Sequence, residues 1–160
     1  MKAPPPPSTP QSAGVRLDPQ LIYAIPLAGG LLLDRWHPIR SIPPRFAAPL
    51  GIASLVIGLT VGLAAVRRFR LARTSLQPWE STSTLVTDGP FRLSRNPIYI
   101  GYTLLYLGVA FWANSLWPVV LLPLVVWLMH RLVITREEAY LESRFGDAYR
   151  AYRHRVRRWL

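Results

Sequence analysis

The chain contains no cysteine, only three histidines, and eight acidic residues against nineteen lysines and arginines. The missing cysteine excludes disulfides, thiolate zinc sites, iron–sulfur ligation and cysteine nucleophiles. His37, His130 and His154 lie far apart, and no His-Glu-x-x-His or related spacing links them, so no metal site is expected. No Gly-x-Gly-x-x-Gly follows a strand-like segment and no Walker-type loop occurs, so a nucleotide-like ligand would not sit on a Rossmann sheet. No period of 20–50 residues repeats, which removes solenoids. At 160 residues the chain fits one domain.

The scarcity of acids leaves a formal charge of +11. In a water-soluble chain that charge would point to nucleic acid, but here the basic clusters flank long apolar runs, and no nucleic-acid partner is expected. Residues 47–66 give 20 consecutive positions without a charge and residues 97–129 give 33 more. Only a helix satisfies its own backbone in lipid, so uncharged runs of about 18 or more read as spans. The longer run exceeds one crossing of a core about 30 Å thick and divides at Asn114-Ser115. The expected architecture is an all-α polytopic membrane protein of about four spans, at 19–33, 47–66, 98–113 and 116–133. The first is short and carries Gly29-Gly30, so it is tilted or partly inserted. Within the second, Gly58 and Gly62 form a Gly-x-x-x-Gly pair that either seats another helix or is scattered glycine.

Four spans put the N-terminus, the loop 67–97 and the C-terminal tail on one side. That side holds 16 of the basic residues, and the other holds only Arg35, Arg40 and Arg45. The positive-inside rule then makes both termini cytoplasmic, and the basic segments bind anionic headgroups. In a prokaryote the membrane would be the inner (plasma) membrane. The Pro-rich stretch 1–16 reads as a disordered tail, and 17–160 as a single membrane domain.

Two cytoplasmic segments carry chemistry. Residues 85–101 read LVTDGPFRLSRNPIYIG, with a turn at Asp88-Gly89-Pro90 and a helix start at Asn96-Pro97. The free N–H groups of that helix start, reinforced by Arg92 and Arg95, either form an anion site or simply cap a span flanked by positive-inside arginines. Residues 134–160 form a lid: a helix bearing Glu137-Glu138, a stop near Gly146, and a C-terminal amphipathic helix. In that last helix Tyr149, Tyr152, Val156 and Trp159 share one face and Arg150, Arg153 and Arg157 the next. It is expected to lie in the interface, aromatics among headgroups and arginines on phosphates. Adjacent carboxylates beside an anionic surface gain nothing from it, so Glu137 and Glu138 either pair with Arg131, Arg136 or Arg144 or capture a cationic group. An anion pocket at one span and carboxylates after the next suit a zwitterionic amino-acid-like ligand such as S-adenosylmethionine.

At these residues, over roughly Thr74 to Trp159, the chain resembles the isoprenylcysteine carboxyl methyltransferase and phospholipid methyltransferase group of integral membrane enzymes. The resemblance rests on Gly89-Pro90-Phe91, Arg95-Asn96-Pro97-Ile98-Tyr99-Ile100-Gly101, Glu137-Glu138-Ala139-Tyr140-Leu141 and Phe145-Gly146-Asp147-Ala148-Tyr149-Arg150-Ala151-Tyr152. Many members carry His where this chain has Asn96, and Val-Pro-Arg-Trp where it has Val156-Arg157-Arg158-Trp159. The resemblance implies a methyltransferase using S-adenosylmethionine on a lipophilic or prenylated acceptor. It implies that Gly89, Asn96, Pro97, Tyr99 and Gly101 contact the cofactor and that Glu137 and Glu138 hold its polar end. Arg95 and Arg92 are the expected orienters of an acceptor carboxylate. Two other readings stand beside this one: a sterol-reductase-like enzyme using a nicotinamide cofactor, and a non-enzymatic lipid-binding scaffold. Oligomeric state is not legible.

Overall fold

A computed structural model describes residues 13–15, 17–40, 42–74 and 82–160, and among these every regular element is helical. Helix α1 spans Pro19–Trp36, α2 Pro44–Leu71, α3 Pro97–Trp112, α4 Leu116–Met129, α5 Thr135–Phe145 and α6 Asp147–Arg155. A single 3-10 turn covers Gly89–Arg92, and a π-helical turn, His130–Ile134, joins α4 to α5 without a break. The expected tail 1–16 lies outside the described residues except for 13–15, of which Val15 is buried. The packed chain therefore starts before residue 17.

Local sequence explains where these helices begin. Proline stands at the first position of α1, α2 and α3, where its missing N–H costs no intrahelical bond. Asp18 caps α1 by accepting from the Gln20 N–H at 2.9 Å. Between α3 and α4 the chain turns where the polar pair interrupts the apolar run. Asn114 takes φ 49° there, and its side chain both donates to Ile42 O at 2.9 Å and accepts from Ile42 N at 3.3 Å. That exchange ties the α3–α4 turn to the start of α2. Arg40 adds a second tie, bridging Asp34 at 2.6 Å and Asn114 O at 3.0 Å.

Helices α2 and α3 run antiparallel at backbone contact. A Cβ on Gly58 would stand 2.9 Å from Gly101 O, and one on Gly101 would stand 3.0 Å from Gly58 O and 3.2 Å from the Gly62 Cα. Gly58 and Gly62 do seat a neighbouring helix, and its contact residue is Gly101. Further along, Gly51 meets the α3 backbone at Gly108 and Trp112. The Ser54 hydroxyl reinforces the crossing by donating to Leu104 O at 2.8 Å. α1 lies against α4 in the same manner, Gly30 on Pro118.

Two helical stretches are long and apolar enough to cross a membrane, Pro44–Leu71 and Leu116–Phe145, and Pro97–Trp112 is a shorter apolar helix. The four rods alternate in direction. One end collects the α1–α2 and α3–α4 connections with Arg35, Arg40 and Arg45, and the other collects the 3-10 turn, α5, α6 and the C-terminus.

Gly101→Ala should destabilise the protein by about 1–3 kcal/mol, because the added methyl meets backbone that cannot rotate away. Gly29→Ala, with nothing within 4 Å of the added carbon, should be neutral. Chemical denaturation in detergent, followed by circular dichroism, distinguishes the two.

Candidate functional site

The segment after α2 enters the protein through one aromatic anchor. In the 3-10 turn, Phe91 is buried and meets Phe69 of α2 edge to face, with centroids 5.3 Å apart. Three residues per turn send the next residue, Arg92, outward, where it is exposed. Gly89 opens the turn at φ 58°, a conformation available to it without a Cβ penalty, and packs on the Arg68 side chain.

Between this turn, the start of α3, α5 and α6 lies a cleft. Its polar side chains include Arg95, Asn96, Tyr99, Glu137, Glu138 and Tyr149, and its walls include Phe69, Phe91, Ile98, Leu141 and Tyr152. The structure thus brings together Arg95, Asn96, Pro97, Tyr99, Glu137 and Glu138 from the expected site. It does not bring Arg92, Gly89 or Gly101 to the cleft. Arg92 faces out and Gly89 shapes the turn. Gly101 is consumed by the α2 contact, one helical turn beyond the cleft-lining face of α3.

The two carboxylates have different surroundings. Glu138 is held in a fork by Arg158, with Nη2–Oε2 2.6 Å and Nε–Oε1 2.9 Å, and it also meets Arg95 Nη1 at 3.2 Å. The Glu138 and Arg95 side chains are only 12% and 10% exposed, so this pair is largely desolvated. Arg131, Arg136 and Arg144, the partners expected from sequence proximity, are not used. Glu137 accepts a 2.7 Å hydrogen bond from the Tyr99 hydroxyl and has no cationic partner among the described residues. Burial, opposed by the Tyr99 bond and reinforced by the neighbouring Glu138 charge, pushes its carboxyl up to about 7.

The π turn sets these directions. One extra residue in a turn rotates every later residue of the helix by about 100°. With that rotation Glu137 and Glu138 face the cleft, while Val133 and Ile134 stay in the core beneath α1 and α3.

The C-terminal segment closes the site through two of its main-chain carbonyls. Arg95 N donates to Arg157 O at 2.9 Å, and Ser94 Oγ and Asn96 Nδ2 donate to Arg158 O at 3.1 and 2.9 Å. Asn96 is the N-cap residue of α3, but its amide serves this closure and makes no capping bond. Tyr149 and Tyr152, expected among headgroups, instead point inward and are 1% and 4% exposed. Tyr152 donates to Phe91 O at 2.7 Å. An amphipathic pattern marks a face and does not say whether lipid or protein covers it. Of the arginines expected on phosphates, Arg150 pairs with Asp147 at 2.7 Å and Arg153 with Glu142 at 2.9 Å. Sequence reasoning missed Arg158 as a site residue; its signal was its place in the terminal motif beside Trp159.

The family described as phospholipid methyltransferase matches residues 46–148. Over 72 residues, 45% of this chain, the sequence is 42% identical to the protein-S-isoprenylcysteine O-methyltransferase of Schizosaccharomyces pombe, covering 30% of that protein. It is 45% identical to an uncharacterized protein of Haemophilus influenzae over 65 residues, 39% of this chain and all of the other. It is 34% identical to the cobalt-zinc-cadmium resistance protein CzcN of Cupriavidus metallidurans over 92 residues, 56% of this chain and 43% of the other. The match therefore spans less than a third of the yeast enzyme and less than half of CzcN. No solved structure matches significantly.

Two variants separate the carboxylates. Glu138→Gln leaves Arg158 and Arg95 without their anion and should cost on the order of 2 kcal/mol, between exposed and buried pairs. Glu137→Gln should fold normally and alter the pH dependence. A folded-state carboxyl raised to about 7 stabilises the protein while protonated, so that contribution falls as pH rises from the ordinary carboxylate range through 7. Denaturation midpoints from pH 5 to 8 should decline less steeply in Glu137→Gln than in the parent.

Proposed function

The chain belongs to the phospholipid methyltransferase family, and on that premise we propose that it transfers a methyl group from S-adenosylmethionine to a lipophilic, membrane-dissolved acceptor, an isoprenylcysteine-like carboxylate or a lipid. The observation that carries the reading is Glu137: a half-buried carboxylate with no cationic partner among the described residues, lining an aromatic-walled cleft beside a guanidinium. A carboxylate kept only for ion pairing would have a partner such as Glu138 has.

The donor set fits the cofactor. Buried Arg95 Nε has no hydrogen-bond partner among the described residues, which leaves donor capacity for a carboxylate. Glu137 and the Tyr99 hydroxyl offer acceptors to an ammonium, with Asn96 and Pro97 at the adjoining wall, and the aromatic walls suit a purine. Glu138 acts through Arg95 and Arg158, holding the arginine in place. Bound there, S-adenosylmethionine supplies an electrophilic methyl group on a sulfonium.

The chemistry left to this chain is alignment and dryness. An anionic acceptor meeting a sulfonium loses charge separation towards the transition state, so excluding water favours reaction. Tyr149, Tyr152, Phe91 and the hydrogen-bonded C-terminal segment supply that exclusion. With its Nε offered to the cofactor, Arg95 keeps its Nη1 on Glu138 and Tyr149, and exposed Arg92 meets the headgroup region outside. An amine acceptor would instead have to lose a proton to water, since Glu137 is engaged by the cofactor's ammonium.

The membrane arrangement follows the alternation of the four rods. We place α1 to α4 as spans, both termini and the cleft on the cytoplasmic side, where the basic residues concentrate. An acceptor dissolved in the bilayer then reaches the cleft from the apolar side and the cofactor reaches it from water.

Calorimetric titration of S-adenosylmethionine and S-adenosylhomocysteine into the purified protein tests this. Saturable binding is expected, weakened about tenfold or more in Glu137→Gln, consistent with loss of one charge-assisted contact. A folded parent protein that binds neither ligand would overturn the proposal.

A further inference from the structure

Outside the residues matched by the family, the chain before α1 reaches the cleft. Ala13 lines it, beside the elements that carry Tyr99, Glu137 and Glu138. Two residues on, Val15 is 5% exposed and belongs to the core cluster that contains Tyr99, Val133 and Ile134, the last two from the π turn that sets the direction of Glu137. Between them Gly14 takes φ 61°, and its carbonyl accepts from Arg136 Nη1 at 3.0 Å. Arg136 immediately precedes Glu137. A three-residue segment is thus fixed at three points: a buried side chain, a hydrogen bond from α5, and a place in the cleft wall.

From this geometry we infer that Ala13–Val15 form one wall of the ligand site, holding the cofactor against Glu137. The inference rests on the cofactor reading above and deepens it. Val15 is the anchor, since an apolar side chain in the core fixes the segment better than the single exposed Arg136 bond does. Gly14 supplies the left-handed turn that lets Val15 point into the core while Ala13 reaches the rim. Ala13 itself, small and half-buried, leaves room for a ligand.

The absence of cysteine makes the test direct, because Ala13→Cys is then the only thiol in the protein. The probe is S-adenosylhomocysteine, and the readout is the rate of maleimide labelling. At a concentration ten times its dissociation constant the free protein is about one part in eleven, so labelling of Ala13→Cys should slow roughly tenfold. Leu17→Cys, at a position 49% exposed and outside the cleft lining, should label at an unchanged rate. Val15→Ser should weaken binding of the same ligand with its fold retained by circular dichroism. Equal labelling of Ala13→Cys with and without ligand, in a variant that calorimetry shows to bind, would overturn the inference while leaving the cofactor reading intact. Failure of the parent protein to bind S-adenosylhomocysteine would instead defeat the reading on which it rests.

Discussion

The fork between Glu138 and Arg158, extended by Arg95, is the interaction on which the site depends. It joins three regions around the cleft: the start of α3, the helix after the π turn, and the C-terminal segment. Taking a carboxylate and a guanidinium out of water is costly, and the arrangement offsets that cost only because the fork is bidentate and a second guanidinium shares the anion. Around it the Arg95 N–H and the side chains of Ser94 and Asn96 donate to the carbonyls of residues 157–158. With those groups committed to one another, Glu137 stands apart as the acid whose charge is not spoken for.

The helices supply the rigidity that this polar cluster needs. In a bilayer, apolar side chains gain nothing by leaving lipid for protein, so helix association relies on close fit. The glycine contacts of α2 with α3 and of α1 with α4 provide that fit, and Asn114 and Arg40 lock the far end. α3 is therefore fixed at both ends, and Tyr99 comes to the cleft at a set height.

Features with local causes are legible in the sequence. The Asn96-Pro97 helix start, the division at Asn114-Ser115 and the stop at Gly146 each depend on a residue and its immediate neighbours, and each occurs at the expected place. Features with distant causes are not legible. The partners of Glu138 lie 20 and 43 positions away, and proximity along the helix favours arginines that the fold turns elsewhere. Tyr149 and Tyr152 share a face that reads equally as lipid-facing or protein-facing. Gly101 carries a family motif and an apolar helix face at once, and only the position of α2 separates packing from binding. The π turn leaves no pattern, because it is a change of hydrogen-bond register inside an otherwise continuous helical run. Val15 sits at the end of a polar, proline-rich stretch, where one valine carries too little weight to mark a core position.

α4, the π turn and α5 form one continuous rod of 30 residues, roughly 45 Å long, whose first part is apolar and long enough to cross a membrane and whose last part walls the site. The span and the cleft wall are the same piece of backbone. Helices answer a thicker or thinner bilayer chiefly by tilting. A tilt of this rod swings its outer third, which carries Glu137 and Glu138, against the start of α3. Any tilt of α4 is thereby carried through the π turn into the distance across the cleft.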